Sequence, residues 1–160
     1  MTDTASLPAL GICLEEYEYP YPVQFLPVTS DLQPLKMAYM DIPPSTEPNG
    51  KTVVLIHGKA FGCYYFRNVI EALTGAGYRV VAPDQIGWGK SPKPDIHYSF
   101  QLLAANTAAL LDHLGVGDVA VLEHRGSTQF DLFDEIQERL PIDPSSSRDL
   151  QLTVADGDHT

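Results

Sequence analysis

No run of apolar residues in these 160 amino acids approaches the roughly 18–20 that a membrane-spanning helix needs. The opening stretch MTDTASLPALG carries Asp3 and no Lys or Arg, so it has no basic start of the kind an export signal uses, and a cytoplasmic location is the expectation. Cysteine is scarce. Cys13 and Cys63 lie far apart and match no metal or redox spacing, which argues against a disulfide scaffold or a Cys-x-x-Cys centre. The five histidines, His57, His97, His113, His124 and His159, show no paired H-x-x-x-H spacing, so no metal and no cofactor is expected. Basic side chains are outnumbered, 10 Lys and Arg against 21 Asp and Glu, for a formal charge of −11. An acidic surface repels phosphate backbones, and no Lys/Arg run long enough to hold anionic lipid is present, so neither nucleic acid nor a membrane is an expected partner. Internal repeats and low-complexity tracts are absent as well.

What remains is a chain that is 44% hydrophobic and 19% charged, long enough for one domain with a real core. Its charge is unevenly placed. Residues 1–50 hold one basic and seven acidic side chains, residues 51–122 six and five, and residues 123–160 three and nine. The middle is balanced like a packed domain, and both ends are acidic in the manner of solubilising surface.

Prolines 20, 22, 27, 34, 43, 44 and 48 punctuate the first third. Between them, Val23–Leu26 and Leu35–Ile42 read as strands, joined through Thr29-Ser30-Asp31 as an antiparallel pair. Ser45–Lys51 reads as a surface loop. Thr52–Ile56 (TVVLI) is a continuous run ending in His57-Gly58, which suits a strand buried on both faces of a parallel sheet. Tyr64–Gly75 follows with Phe66, Val69, Ile70 and Leu73 at helical spacing. Tyr78–Ala82 is a second buried strand, and Ser99 can cap a helix carrying Phe100, Leu103, Leu110, Leu111 and Leu114 on one face. Asp118–Leu122 is a third short strand. This alternation predicts an α/β fold: an antiparallel strand pair, then parallel βαβαβ with right-handed crossovers. After Leu122 the texture changes. Thr128–Leu140 reads as an acidic amphipathic helix ended by Pro141, Pro144–Ser147 as a linker, and Leu150–Ala155 as one more strand.

The ordered set VVLIHG, helix, YRVVAPDQIGWGKSPKP, helix and LLDHLGVGDVAVL resembles the first half of an α/β-hydrolase, and MAYMDIPP fits the strand that precedes it in many members. The resemblance runs from about Pro20 to Leu122. It implies three parts: an N-terminal extension over 1–19, half a hydrolase domain over 20–122, and a divergent acidic helix and tail over 123–160. It also implies that the loop after His57-Gly58 supplies an oxyanion-hole N–H, most simply from Lys59, with an exposed loop lysine as the competing reading. Asp84 and Gly87–Ser91 would form the loop that shapes the carboxyl edge of the sheet, where ligands of open α/β sheets bind.

In this family the strand matching Asp118–Leu122 runs into a nucleophile elbow, G-x-S-x-G, whose small residues permit a sharp strand-to-helix turn. Counting from Leu122, the elbow positions are Glu123, His124, Arg125, Gly126 and Ser127. Arginine stays protonated and cannot attack a carbonyl. The triad acid and histidine of such enzymes follow later strands, which the resemblance does not reach, and Asp156, Asp158 and His159 read as a polar tail. The expectation is a truncated hydrolase-family chain whose parent activity is serine-dependent hydrolysis of small ester- or amide-type substrates. It has no catalytic residue of its own. The alternative is a non-catalytic interaction or regulatory protein, self-associating or pairing with a full-length relative through an exposed Asp118–Leu122 edge.

Three other features carry less. Gly89-Lys90-Ser91 imitates the end of a phosphate-binding loop, but Asp84 occupies the first-glycine position and Pro92 breaks the required helix. Cys63 near a helix start could be an activated thiol, yet a packed cysteine is the commoner reading. Ser127 lies two residues past the nucleophile position and reads as a helix cap.

Overall fold

The computed structural model describes residues 10–30 and 33–124. The acidic helix, the linker, the last strand and Arg125–Ser127 lie outside the described residues. Within them, eight elements follow one another: strands β1 (Val23–Ser30), β2 (Gln33–Ile42) and β3 (Thr52–Ile56), a 3-10 turn (Cys63–Phe66), helix α1 (Arg67–Gly75), strand β4 (Arg79–Pro83), helix α2 (Phe100–His113) and strand β5 (Val119–Glu123). The strands form one sheet in the order β1-β2-β4-β3-β5. β1 and β2 are antiparallel, β2 and β4 antiparallel, and β4, β3 and β5 parallel, as the sequence pattern predicts.

The burial pattern explains the β-branched runs. Alternate residues of one strand serve opposite faces. Val54, Ile56 and Val81 pack with Leu103, Leu110 and Leu111 of α2, while Val53, Leu55 and Val80 pack with Ile70 and Leu73 of α1. Both faces are covered, so after Thr52 and Arg79 at the strand starts every position of β3 and β4 is apolar and buried, and the alternation seen in one-sided sheets disappears.

Three elements differ from the sequence reading by more than one residue. β1 and β2 are longer than expected because they continue through Pro27 and Pro34, which pair with Lys36 and Thr29. β1 ends the sheet, and proline's missing N–H is tolerated where no further strand needs it. The helix expected from Tyr64 opens as the 3-10 turn before α1 begins at Arg67. Ser99 caps α2 as its position suggests, its hydroxyl oxygen accepting from the Leu102 N–H at 3.1 Å. Just before residue 20, Tyr19 is buried, and its ring meets those of Tyr17 and Tyr64 edge-on.

Candidate active-site cavity

The loops at the carboxyl end of β4 gather around one buried side chain. Asp84 follows β4 directly and is fully buried. Its Oδ2 accepts from the Tyr19 hydroxyl at 2.6 Å and from the Lys90 N–H at 2.7 Å, and its Oδ1 accepts from the Cys63 N–H at 2.6 Å. Its backbone carbonyl accepts from the Ser91 hydroxyl at 2.6 Å, and Ser91 Oγ in turn accepts from the Ala38 N–H at 2.8 Å. The carboxylate therefore ties together the N-terminal segment, the turn before α1 and the loop after β4, and the Asp84 carbonyl, through Ser91, adds β2. Gly89, at φ +54, has its Cα against this carboxylate, so any Cβ there would overlap it. Gly62 is confined in the same way, a Cβ meeting the Tyr19 hydroxyl at 2.9 Å and Asp84 Oδ1 at 3.0 Å. In the G-x-G-K-S stretch Gly89 makes room for the Asp84 carboxylate and Gly87 for the Tyr98 ring, not for a phosphate, which is the physical reason the phosphate-loop reading fails.

Cys63 belongs to this cluster. It is fully buried, and burial first and the Asp84 charge second push its thiol well above the usual cysteine range. A thiol held protonated is a poor nucleophile, so the packed reading stands. Tyr19 is raised by the same two causes in the same order and donates its proton to Asp84.

On the α2 side of Asp84 lies a cavity of about 220 Å³. Trp88, Tyr98, Phe100 and Leu103 supply its apolar walls, and the buried His57 and Gln85 supply polar wall. Lys59 and Ser99 complete the lining, Lys59 being exposed. These residues follow β3, follow β4 or open α2, so the cavity sits where ligands of open α/β sheets bind. Its tautomer logic is settled by one donor. The Gln85 N–H points to Nε2 of His57 at 2.9 Å, so Nε2 accepts and Nδ1 carries the proton, donating to the Gly58 carbonyl at 2.9 Å. A second proton would set Nε2–H against the Gln85 N–H, and burial, the main cause, holds the His57 pKa below the ordinary 6.5.

That shift has a stability consequence. Between the lowered folded pKa and 6.5 the unfolded chain binds the extra proton, so the His57 contribution is complete above about 6.5 and is lost as pH falls through the folded value. Urea midpoints should drop on acidification below pH 6.5, and His57→Gln should flatten that limb. A parallel fall in both proteins would assign the effect elsewhere.

The loop from Gly58 makes a tight turn. The Phe61 N–H donates to the Gly58 carbonyl at 3.2 Å, and Ala60 sits at φ +68, a left-handed conformation uncommon for a residue with a Cβ. The Lys59 N–H has no acceptor among the described residues. The Gly58 N–H is committed, donating to the Tyr65 hydroxyl at 3.1 Å. That hydroxyl lies 2.9 Å from Nδ1 of His124, and burial pushes Tyr65 up to about 12, so the phenol keeps its proton and can donate it to the imidazole. Tyr65 thus braces the loop after β3 against the exit of β5.

The sequence and fold match known proteins. Residues 51–123 match the family model described as the alpha/beta hydrolase fold. Over those residues the chain belongs to the α/β-hydrolase family. A haloalkane dehalogenase of Mycolicibacterium paratuberculosis is 39% identical over 107 residues, covering 65% of this chain and 35% of that protein. Epoxide hydrolase B of Mycobacterium tuberculosis is 39% identical over 89 residues, covering 54% and 24%. The crystal structure of a probable hydrolytic enzyme from Pseudomonas aeruginosa PAO1 superposes with a TM-score of 0.70 at 50% identity, over 73% of this chain and 38% of that one. The chain thus spans between about a quarter and about a third of these two curated relatives.

Of the His57-Gly58-Lys59 loop, His57 and Lys59 line the cavity, and Asp84 lies outside its lining. Sequence reasoning placed the loop after β4 at the carboxyl edge but missed Asp84 as its organiser. The signal was an acidic residue immediately after an apolar strand with glycines close by on both sides. No group of three metal-ligating side chains occurs among the described residues, and no described helix is long and apolar enough to cross a membrane.

Proposed function

We propose that this chain carries the substrate-binding end of an α/β-hydrolase catalytic half and that Arg125 at the nucleophile position removes serine-dependent turnover from it. The observation that supports this reading is the register of β5. Glu123 pairs with Ile56, and the His124 N–H donates to the Ile56 carbonyl at 3.0 Å, so the elbow count begins directly beside the His57-Gly58 loop. The sequence then continues Arg125-Gly126-Ser127. The Lys59 N–H is the oxyanion donor in this reading, since it faces no described acceptor and its neighbour's N–H is already used. The relatives named above act on haloalkanes and epoxides by their names, which adds such substrates to the ester and amide class for the parent activity. Incubation with an active-site phosphonate followed by peptide mass mapping tests the proposal. No adduct is expected, and an adduct on Ser127 would overturn it.

A second reading rests on β5 itself. It ends the sheet among the described residues, carries no proline as β1 does, and leaves Ala120, Val121 and Leu122 only half buried. A flat apolar edge of this kind favours pairing with another strand, from a second copy or from an intact relative. Val119 is 3% exposed, so a lysine there would test the core instead of the edge. Val121→Lys is the cleaner variant. Sedimentation at tens of micromolar should show self-association in the parent chain and less of it in the variant, and a monomeric parent removes the reading.

A further inference from the structure

We propose that Asn49-Gly50 is a self-modification site, where the chain converts an asparagine amide to a carboxylate and so loosens the loop that closes the end of α1. A helix leaves its last carbonyls without internal partners. Residues 45–51, between β2 and β3, supply several of them. The Ser45 N–H donates to the Thr74 carbonyl at 3.0 Å, the Thr46 hydroxyl to the Gly75 carbonyl at 3.1 Å, and Asn49 Nδ2 to the Ala76 carbonyl at 3.1 Å. The Asn49 N–H adds a bond to the Gly77 carbonyl at 2.9 Å. Gly77, at φ +88, lets the two segments approach so closely that a Cβ there would lie 2.6 Å from the Glu47 carbonyl oxygen.

The residues that make this clamp also hold the parts of a cyclisation: a free backbone nitrogen, a polarised carbonyl and a leaving group open to solvent. Gly50 is exposed, its N–H has no acceptor among the described residues, and a Cβ at its position would meet nothing within 4 Å. The Lys51 N–H donates to Asn49 Oδ1 at 2.9 Å and polarises the amide. Lys51 is itself held, because its carbonyl accepts from the Arg79 N–H at 3.0 Å where β3 and β4 begin. Charge developing on Oδ1 during attack therefore meets a donor already in place, the physical effect of an oxyanion hole. Asn49 is exposed, so ammonia can depart into water.

Hydroxide removes the Gly50 N–H proton, the nitrogen bonds to Asn49 Cγ, and the Cγ–Nδ2 bond breaks, ammonia leaving with a proton taken from water. Water then opens the cyclic imide on either side, giving aspartate or isoaspartate at position 49. The balance is one water consumed and one ammonia released, with no oxidant or further reactant. The product has no N–H to give the Ala76 carbonyl. Its carboxylate instead faces the negative end of α1, which repels it, and isoaspartate also lengthens the backbone between the Gly77 and Lys51 contacts. Asn68 and Asn106, the other asparagines of the chain, lie inside α1 and α2 ahead of the β-branched Val69 and Thr107 and serve as internal references.

Incubating the intact chain at mildly alkaline pH, then mapping peptides by mass spectrometry, tests the site. Among the asparagines, conversion should be confined to Asn49, rise in proportion to hydroxide, and run at least as fast in the folded chain as in the chain unfolded by urea. The urea midpoint of the aged chain should fall, and Asn49→Asp should lose about fivefold in its folding equilibrium constant. Asn49→Gln closes its ring more slowly and should keep its starting midpoint through the same incubation. Position 49 is exposed, so these variants fold. Slower conversion in the folded chain than in urea, or conversion at Asn68 or Asn106 as fast as at Asn49, overturns the site. An Asn49→Asp variant with the parent's midpoint overturns the loosening of α1.

Discussion

Replacing Asp84 by alanine should cost about 3–5 kcal/mol of folding stability, a large share of the roughly 5–15 kcal/mol that holds a domain together. The carboxylate is fully buried and accepts three short bonds, from Tyr19, Cys63 and Lys90. Truncation strands all three donors. Each stranded donor costs about 1–3 kcal/mol, less wherever water can enter, and the three do not add fully because the loop relaxes as one piece. Asp84→Asn keeps the shape but turns an N–H toward a donor, so its cost should be about 1–3 kcal/mol. Tyr19→Phe removes one donor and leaves two, and should cost about 1–2 kcal/mol. Urea unfolding at neutral pH should rank the variants in that order, with Tyr19→Phe measurable even where Asp84→Ala does not fold. An alanine variant within about 1 kcal/mol of the parent would show that the loop is held by the Ser91–Ala38 bonds and not by the carboxylate.

The sheet was legible in the sequence because its signals are local. Continuous β-branched runs, a serine cap ahead of α2 and glycines after each helix all act over a few residues, and each landed within a residue or two of its element. The proline-containing part of β1 was not legible. Whether Pro27 ends a strand depends on whether another strand needs its N–H, and that is a property of sheet order, not of the tripeptide around it. Asp84 was hidden for a related reason. Its donors come from residues 19, 63 and 90, separated along the chain, and no spacing rule links a tyrosine hydroxyl to a backbone N–H that far away. The His57-Gly58-Lys59 loop stood between the two cases. A strand ending in His-Gly marked the place, but the left-handed Ala60 and the Tyr65 brace emerge only when β3, the 3-10 turn and β5 are assembled.

The 160-residue chain should hydrolyse a short p-nitrophenyl ester no faster than a heat-denatured control. Loss of the nucleophile from a serine triad lowers turnover about 10⁶-fold, equivalent to roughly 8 kcal/mol of transition-state stabilisation. Nothing among the described residues replaces it. Cys63 is buried and held protonated, and the hydroxyl of Ser91 is spent between Asp84 and Ala38. Tyr65 keeps its proton, being pushed up to about 12. His57 is neutral but has no free lone pair to act as a base, since Nε2 already accepts from Gln85. The Lys59 N–H alone could contribute at most the oxyanion share, about 10²–10³-fold, and only to a substrate that something else attacks. Arg125→Ser, with Glu123→Gly and Ser127→Gly to free the turn, should restore phosphonate labelling less readily than it restores the elbow, because a serine without a partner base stays a weak nucleophile. Ester hydrolysis well above the control that disappears in Ser127→Ala would name a displaced nucleophile, and disappearance in Cys63→Ala would mean that the buried thiol opens to solvent during turnover.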